Sequence, residues 1–157
     1  MTLCDNLGDF LAALPTRGSL LALDLSKRRI GLAGTDPERR LVTPLRTFER
    51  ADRARDIERL RQVIRERQVV GLVLGLPLNM DGSEGPMAEA ARREARRFVA
   101  ALNLPLLLQD ERLTTFAVED AIEEGRLPRP RKGQPIDHYA AAVILEDALR
   151  AMAGLRP

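Results

Sequence analysis

With 157 residues the chain is long enough to bury a hydrophobic core, and we expect residues 1–157 to form a single domain. Its 25 basic and 23 acidic side chains leave a net charge of +2, which neither favours nor excludes a nucleic-acid partner. The single cysteine excludes a disulfide framework, and no apolar run reaches the length of a membrane span. We therefore expect a cytoplasmic protein that makes no contact with a membrane.

Three antiparallel strands open the predicted fold. Residues 1–18 precede them as an N-terminal extension with one short helix, to which we assign no chemistry. The third strand is placed at a sheet edge, because Pro44 has no N–H to donate to a neighbour. The three strands are expected at residues 20–23, 30–34 and 41–48.

Asp24 ends the first strand, whose residues Leu20–Leu23 are apolar throughout, as in strands covered on both faces. Burying an unpaired carboxylate costs several kcal/mol, roughly, so Asp24 needs a cation, a metal or an exposed strand end. A turn-forming role, or pairing with Arg28 or Arg29, explains Asp24 equally well when the hairpin is considered alone. The positions of the other acidic residues are needed to choose between these interpretations.

Helices and strands alternate in the rest of the chain. The strand at 104–108 ends close to Asp110 and Glu111, which are a second acidic group at a strand end. The helix after residue 83 is expected to bury Met87, Ala91, Ala95, Phe98, Val99 and Leu102. The elements are a helix at 51–68, a strand at 69–76, a helix after residue 83, a strand at 104–108, a helix ending at 124 and a helix at 137–152.

Asp137 begins the last helix and is in phase with its buried stripe, although an acid in the first helical turn also serves as an ordinary N-cap. Residues 125–135 precede it with three prolines, two glycines, four cations and no acid. This composition predicts a mobile basic loop.

The order of three antiparallel strands, helix, strand, helix, strand, helix resembles the ribonuclease H-like fold, an α/β fold with a mixed five-stranded sheet flanked by helices. In that fold, acids from the first strand, a later strand end and the last helix converge. Oxygen ligands at such density suit two Mg²⁺ or Mn²⁺ ions about 4 Å apart, which activate water in phosphodiester cleavage.

Four sequence blocks carry a narrower likeness, which spans residues 20–150. DLSKRRIGLAG, GLPLNMDGSEGP, DERLTT and the helix led by Asp137 resemble the signature blocks of the YqgF/RuvX family. The resemblance implies a nuclease, named for Holliday junction resolution and later assigned to the 5′ end of pre-16S ribosomal RNA. It also implies that Asp24, Glu111 and Asp137 are the catalytic, metal-binding carboxylates. The chain departs from the family at Ser26, usually glycine, and at His138, which is either a ligand or a hydrogen-bonded residue at the helix start.

The choice of Glu111 over Asp110 is open on sequence, because alternation puts neighbouring side chains on opposite sides of an extended segment. We prefer Glu111. Cations of the hairpin and of the basic loop are expected to position phosphates, and groups at a helix start suit phosphate as well. The expected substrate contacts are Lys27, Arg28, Arg29, Asn79, Asp81, Arg112, Thr114, Thr115, Arg129, Arg131 and Lys132.

Two other classes of protein compete with the nuclease. An actin-like or sugar-kinase-like ATPase needs two domains of this fold around the nucleotide, and this chain is long enough for only one. Its phosphate-binding hairpin is also rich in glycine, whereas the tip here is Ser-Lys-Arg-Arg. A nuclease-fold module that binds nucleic acid without cutting it would not need all three acids. The substrate stays open between structured RNA and branched DNA, and a ribosomal precursor particle is a further expected partner. The oligomeric state stays open between a monomer and a weak homodimer. Aromatic residues are only 3% of the chain, which favours recognition by backbone shape over base stacking.

Overall fold

The computed structural model describes residues 2–111, 114–126, 128–129 and 137–154. In these ranges the strands are β1 (Leu3–Cys4), β2 (Ser19–Leu25), β3 (Arg29–Thr35), β4 (Val42–Glu49), β5 (Val69–Leu76) and β6 (Leu106–Asp110). The helices are α1 (Leu7–Ala13), α2 (Arg53–Arg67), α3 (Pro86–Leu102), α4 (Thr114–Glu123) and α5 (Asp137–Gly154).

The described strands form one mixed sheet in the order β1-β6-β5-β2-β3-β4. Strands β2, β3 and β4 pair antiparallel, whereas β5, β6 and β1 extend the sheet from β2 in parallel. The ribonuclease H-like fold is confirmed, but the sheet has six strands instead of the predicted five. The extra strand, Leu3–Cys4, is two residues long and too short for its sequence to show a periodic pattern.

Helices cover both faces of the sheet because the central strands are apolar on both sides. In β2, Leu20 and Ala22 point to a core shared with α1, α4 and α5, while Leu21 and Leu23 point to a core shared with α2 and α3. All four side chains are fully buried. Burial of each leucine contributes about 1.5–3 kcal/mol to stability, so the middle of the sheet is a rigid base for residues at its ends.

The buried stripe of α3 differs from the predicted one at its first residue. Met87, which we expected to be buried, is 72% exposed, and Ala88 takes the inward position instead. Pro86 begins the helix, so residue 87 lies in the first turn. The small side chains of Ala88 and Ala91 pack this end of α3 against the core. Met87 is therefore directed away from the core.

The start of α5 lies directly on β3 at Gly31. A Cβ atom built on Gly31 would overlap the backbone carbonyl group of Asp137 and come within 2.6 Å of the backbone nitrogen of His138. Gly31 pairs with Asp24 on one side and with Thr47 on the other. The missing side chain at this position thus allows Asp137 to approach the end of β2.

We expect Gly31→Ala to destabilise the protein by about 2 kcal/mol or more, because the added methyl group meets backbone atoms, which cannot rotate away. Gly154→Ala is the matched control, since its Cβ meets no atom within 4 Å and alanine favours the helix. Urea unfolding followed by circular dichroism compares the two variants. Equal stabilities would contradict the contact between α5 and β3.

Candidate active site

Two of the predicted acids meet at the carboxyl ends of the parallel strands. Asp24 lies near the end of β2, and Glu111 directly follows β6. The backbone N–H of Glu111 donates to the carbonyl of Leu76 at the end of β5, 3.2 Å away, which fixes the start of this segment. Since β2, β5 and β6 run in the same direction, their carboxyl ends share one edge of the sheet.

Gly75 provides the space in which the two carboxyl groups meet. Strand β5 lies between β2 and β6, so the Glu111 side chain must cross β5 to reach Asp24. A Cβ atom on Gly75 would overlap Oε2 of Glu111 and come within 2.8 Å of Ile144 Cδ1. The glycine therefore leaves room for the carboxyl group of Glu111 beside that of Asp24.

The Asp24–Glu111 pair binds protons more tightly than free carboxyl groups do. Burial raises the pKa of Glu111 to about 8, and the charges of Asp24 and Asp110 act in the same direction. Burial raises the pKa of Asp24 to about 6, with an opposing effect of the Glu111 hydrogen bond and a further rise from the charge of Asp137. The pair therefore carries about one proton near neutral pH.

Asp137, the third predicted acid, is paired with Arg29. Its Oδ2 accepts a hydrogen bond of 2.9 Å from Nε of Arg29, and its side chain is 12% exposed. Asp137 is close enough for its charge to act on Asp24. Within the described residues, however, no three Asp, Glu, His or Cys side chains form a group that could hold a metal ion.

His138 is fixed at the start of α5 by Thr47 of β4. Its backbone N–H donates to Thr47 Oγ1 at 3.1 Å, and its Nδ1 lies 2.7 Å from the same oxygen. One hydroxyl can satisfy both contacts when it donates to Nδ1, which requires the neutral imidazole. Burial lowers the pKa of His138 and favours that form, against the charge of Asp137. The contacts are those of a hydrogen-bonded residue at a helix start, and no sequence pattern indicated that Thr47 takes part in them.

Ser26 closes the tip of the β2–β3 hairpin. Its Oγ accepts the backbone N–H of Arg29 at 3.0 Å, and its own N–H donates to the Arg29 carbonyl at 3.0 Å. The hydroxyl group therefore takes part in the turn itself. Lys27 and Arg28 are exposed between these two residues, where their charges face solvent.

Arg50 braces this hairpin, a role that sequence reasoning missed. Its NH1 donates to the carbonyl of Ser26 at 3.0 Å, and its NH2 donates to Glu94 of α3 at 3.1 Å. The backbone N–H of Arg50 also donates to the Arg28 carbonyl at 2.7 Å. Arg50 follows β4 directly, and the strand register would have been needed to place it beside the hairpin.

The loop after β5 is closed on itself. Asn79 Nδ2 donates to Ser83 Oγ at 2.9 Å, and Ser83 Oγ donates to Asp81 Oδ1 at 2.6 Å. The expected contacts of Asn79 and Asp81 are thus loop hydrogen bonds in this structure. Thr114 and Thr115 begin α4, and Arg129 is exposed. Arg112, Arg131 and Lys132 lie outside the described residues.

The donor set of the Asp24–Glu111 pair fits a hard divalent cation. Carboxylate oxygens are the ligands that Mg²⁺ and Mn²⁺ prefer, and a cation would replace the shared proton and remove the repulsion between two ionised acids. Asp137 can join such a site once its contact with Arg29 opens. A cation bound at this edge of the sheet would thus be held by Asp24 and Glu111.

We expect the metal-free protein to lose stability as the pH rises. The folded-state pKa values of Asp24 and Glu111 lie above their ordinary values, so the stabilising contribution is complete below about pH 4 and is lost as the pH rises through about 6 and 8. Glu111→Gln should flatten this dependence, whereas Glu66→Gln, at a position more than half exposed, should leave it unchanged. Urea unfolding in EDTA from pH 5 to 9 measures it, and a stability that rises with pH would refute the shared proton.

In the part of the chain that the structure describes, we find no helix with the length and apolar character needed to cross a bilayer.

Comparison with known proteins identifies the family. The family model described as "RuvX: Holliday junction resolvase" matches residues 18–151. A relative from Rhodobacter capsulatus is 46% identical over 153 residues, which cover 98% of this chain and 96% of the relative. A relative from Cereibacter sphaeroides is 48% identical over 145 residues and covers 92% and 91%. Both carry the name "Putative pre-16S rRNA nuclease".

Solved structures show the same fold. RuvC of Thermus thermophilus in complex with a Holliday junction substrate is similar at a TM-score of 0.60 and 15% identity, over 88% of this chain and 97% of RuvC. A second RuvC structure from Thermus thermophilus gives a TM-score of 0.54 at 14% identity. These likenesses support the ribonuclease H-like architecture, and the family model together with the relatives shows that this chain belongs to the RuvX family.

Proposed function

We propose that this chain is a divalent-metal-dependent nuclease that acts on structured RNA and processes the 5′ end of pre-16S ribosomal RNA. The observation that carries the proposal is the Asp24–Glu111 pair, two acids that come together across Gly75 at the carboxyl edge of the sheet, where burial raises the pKa of both. The names of the relatives support the ribosomal substrate. The metal is Mg²⁺ or Mn²⁺.

Different residues would bind the cation and the phosphate backbone. Asp24 and Glu111 would hold a divalent cation, in exchange for a proton. Such a cation would supply a water molecule of lowered pKa and stabilise charge on the phosphate. Lys27 and Arg28, exposed at the hairpin tip, attract the phosphate backbone.

Arg29 links the substrate to the third acid. Its side chain is 43% exposed and holds Asp137, which is 12% exposed. A phosphate group that takes over the guanidinium of Arg29 would free Asp137 to help bind a second cation. Asp137 would therefore become available to a cation only when the substrate is bound.

The basic loop before α5 contributes fewer cations than its composition indicates. Arg126 lies 2.9 Å from Glu124 and 3.4 Å from Glu146 on α5, so two acids already neutralise it. Arg129, Arg131 and Lys132 are the loop cations that we propose for contact with phosphates. The last two lie outside the described residues.

A four-way DNA junction is the second candidate substrate, because the matching family model is described as a Holliday junction resolvase. Both substrates present branched or folded backbones, and the same metal chemistry cuts either one. The assay must therefore offer the two side by side.

We expect Asp24→Asn, Glu111→Gln and Asp137→Asn each to lower cleavage of a pre-16S leader RNA by about 10³-fold or more, since each removes a charge that supports cation binding. Asp110→Asn is the matched control, because Asp110 is exposed at the end of β6, next to Glu111, and should keep most of the activity. EDTA should abolish cleavage by the wild-type protein.

The assay uses the labelled leader RNA and a synthetic four-way junction with Mg²⁺ or Mn²⁺, and initial rates are compared. Faster cleavage of the junction than of the leader would favour the DNA substrate. Full activity in EDTA, or equal losses in Asp110→Asn and Glu111→Gln, would overturn the proposed mechanism.

A further inference from the structure

A cleft opens beside the acid pair, between the tip of the β2–β3 hairpin and the first turns of α3. Its volume is about 260 Å³, and it reaches Glu111 and Gly75 at one end. We name it the α3 cleft; the residues of its walls that matter here are Lys27, Pro77, Met87, Arg93, Glu94 and Arg97.

Positive charge predominates on the walls of the α3 cleft. Arg50 and Glu94 also line it, and they neutralise each other at a distance of 3.1 Å. Lys27, Arg93 and Arg97 then remain. Arg97 is 43% exposed and lies 3.7 Å from Glu94, while Lys27 and Arg93 are exposed and have no ion pair with any described residue. An anionic ligand beside Glu111 would thus meet three cations.

The cleft also has an apolar wall, formed by Leu25, Pro77, Met87 and Ala90. Met87 is 72% exposed, so a flexible apolar side chain is kept in water at the mouth of the cleft. An exposed large apolar residue within a basic surface indicates a ligand that has both an anionic group and a flat apolar group. A nucleotide has both.

We propose that the α3 cleft binds an unpaired stretch of the RNA strand next to the scissile phosphate, with the backbone on Lys27, Arg93 and Arg97 and a base against Met87. This inference rests on the nuclease activity proposed above. The cleft is too small to admit a double helix, which can only lie across its mouth, whereas an unpaired nucleotide can turn its base inward. The enzyme would therefore select cleavage sites at which one strand is unpaired.

A neighbouring cavity extends the α3 cleft past Arg50. A second cavity of about 280 Å³ shares Lys27, Arg50 and Glu94 with the α3 cleft and continues to Arg53 at the start of α2. A strand that leaves the α3 cleft in this direction follows the base of the hairpin, and it meets a further exposed cation at Arg53.

The test compares Arg93→Gln with Arg96→Gln. Both arginines are exposed on α3, but Arg96 lines a separate cavity with Leu3, Val99 and Asn103. Binding of a labelled single-stranded RNA of about ten nucleotides, a site size typical of such proteins, is measured by fluorescence anisotropy over a range of salt concentrations. EDTA is present, so binding is measured independently of cleavage.

We expect Arg93→Gln to lower the slope of log K against log salt by about 0.7, the contribution of one phosphate contact on a single strand, and Arg96→Gln to leave the slope unchanged. A matched RNA duplex should show equal affinity for the two variants. A 4-thiouridine next to the scissile position should cross-link to the segment around Met87, as mass spectrometry of the peptides would show.

Equal slopes for the two variants, a greater loss with the duplex than with the single strand, or cross-links confined to other segments would overturn the assignment of the α3 cleft. These results would leave the nuclease itself intact if metal-dependent cleavage by the wild-type protein persists. Full cleavage in EDTA, together with a lower salt slope for Arg93→Gln than for Arg96→Gln, would overturn the metal-dependent mechanism and leave the assignment of the α3 cleft standing.

Discussion

The fold brings the carboxyl groups of Asp24 and Glu111 together at a place where burial opposes the ionisation of both. Burial raises both pKa values, and the charge of Asp24 raises that of Glu111 further. A stable metal-free protein therefore keeps a proton on the pair, at the cost of a stability that falls with rising pH. Such strain is expected of a binding site, because the cation that relieves it gains affinity from the relief.

Several features of the fold maintain this arrangement. Gly75 leaves room for Glu111 to cross β5, and Gly31 allows the start of α5 to rest on β3. Thr47 then fixes His138, the residue after Asp137, through two contacts to one hydroxyl oxygen. Asp24 and Glu111 thus lie at the ends of strands, and Asp137 lies at a helix start that is anchored to the neighbouring strand.

The sequence was informative wherever long periodic or apolar segments carry the signal. Strand β5 was predicted with its observed bounds, and Asp24 was recognised because a charge at the end of a buried strand needs an explanation. Glu111 lies beside Asp24, while Asp110 is exposed, and the assignment of Glu111 as a ligand stays a prediction. The family resemblance is confirmed by the family model and the relatives.

Other features depend on contacts between distant residues, which a single sequence does not encode locally. The two-residue strand β1 is formed only because β6 offers an open edge, and Arg50 meets Glu94 across 44 positions of the chain. The predicted burial of Met87 was wrong because helical periodicity does not fix which residue of the first turn faces the sheet. The salt contact of Asp137 with Arg29 joins residues 108 positions apart, and from the sequence Asp24 was the only acid considered as a partner of Arg29.

The central claim is that a divalent cation displaces a proton shared by Asp24 and Glu111, and calorimetry tests it most directly. Mn²⁺ is titrated into the protein at pH 7 in two buffers of different ionisation enthalpy, and the difference in heat gives the number of protons released. About one proton should be released per cation by the wild-type protein, and almost none by Glu111→Gln. Binding of Mn²⁺ without proton release, or the same release from wild type and variant, would contradict the account.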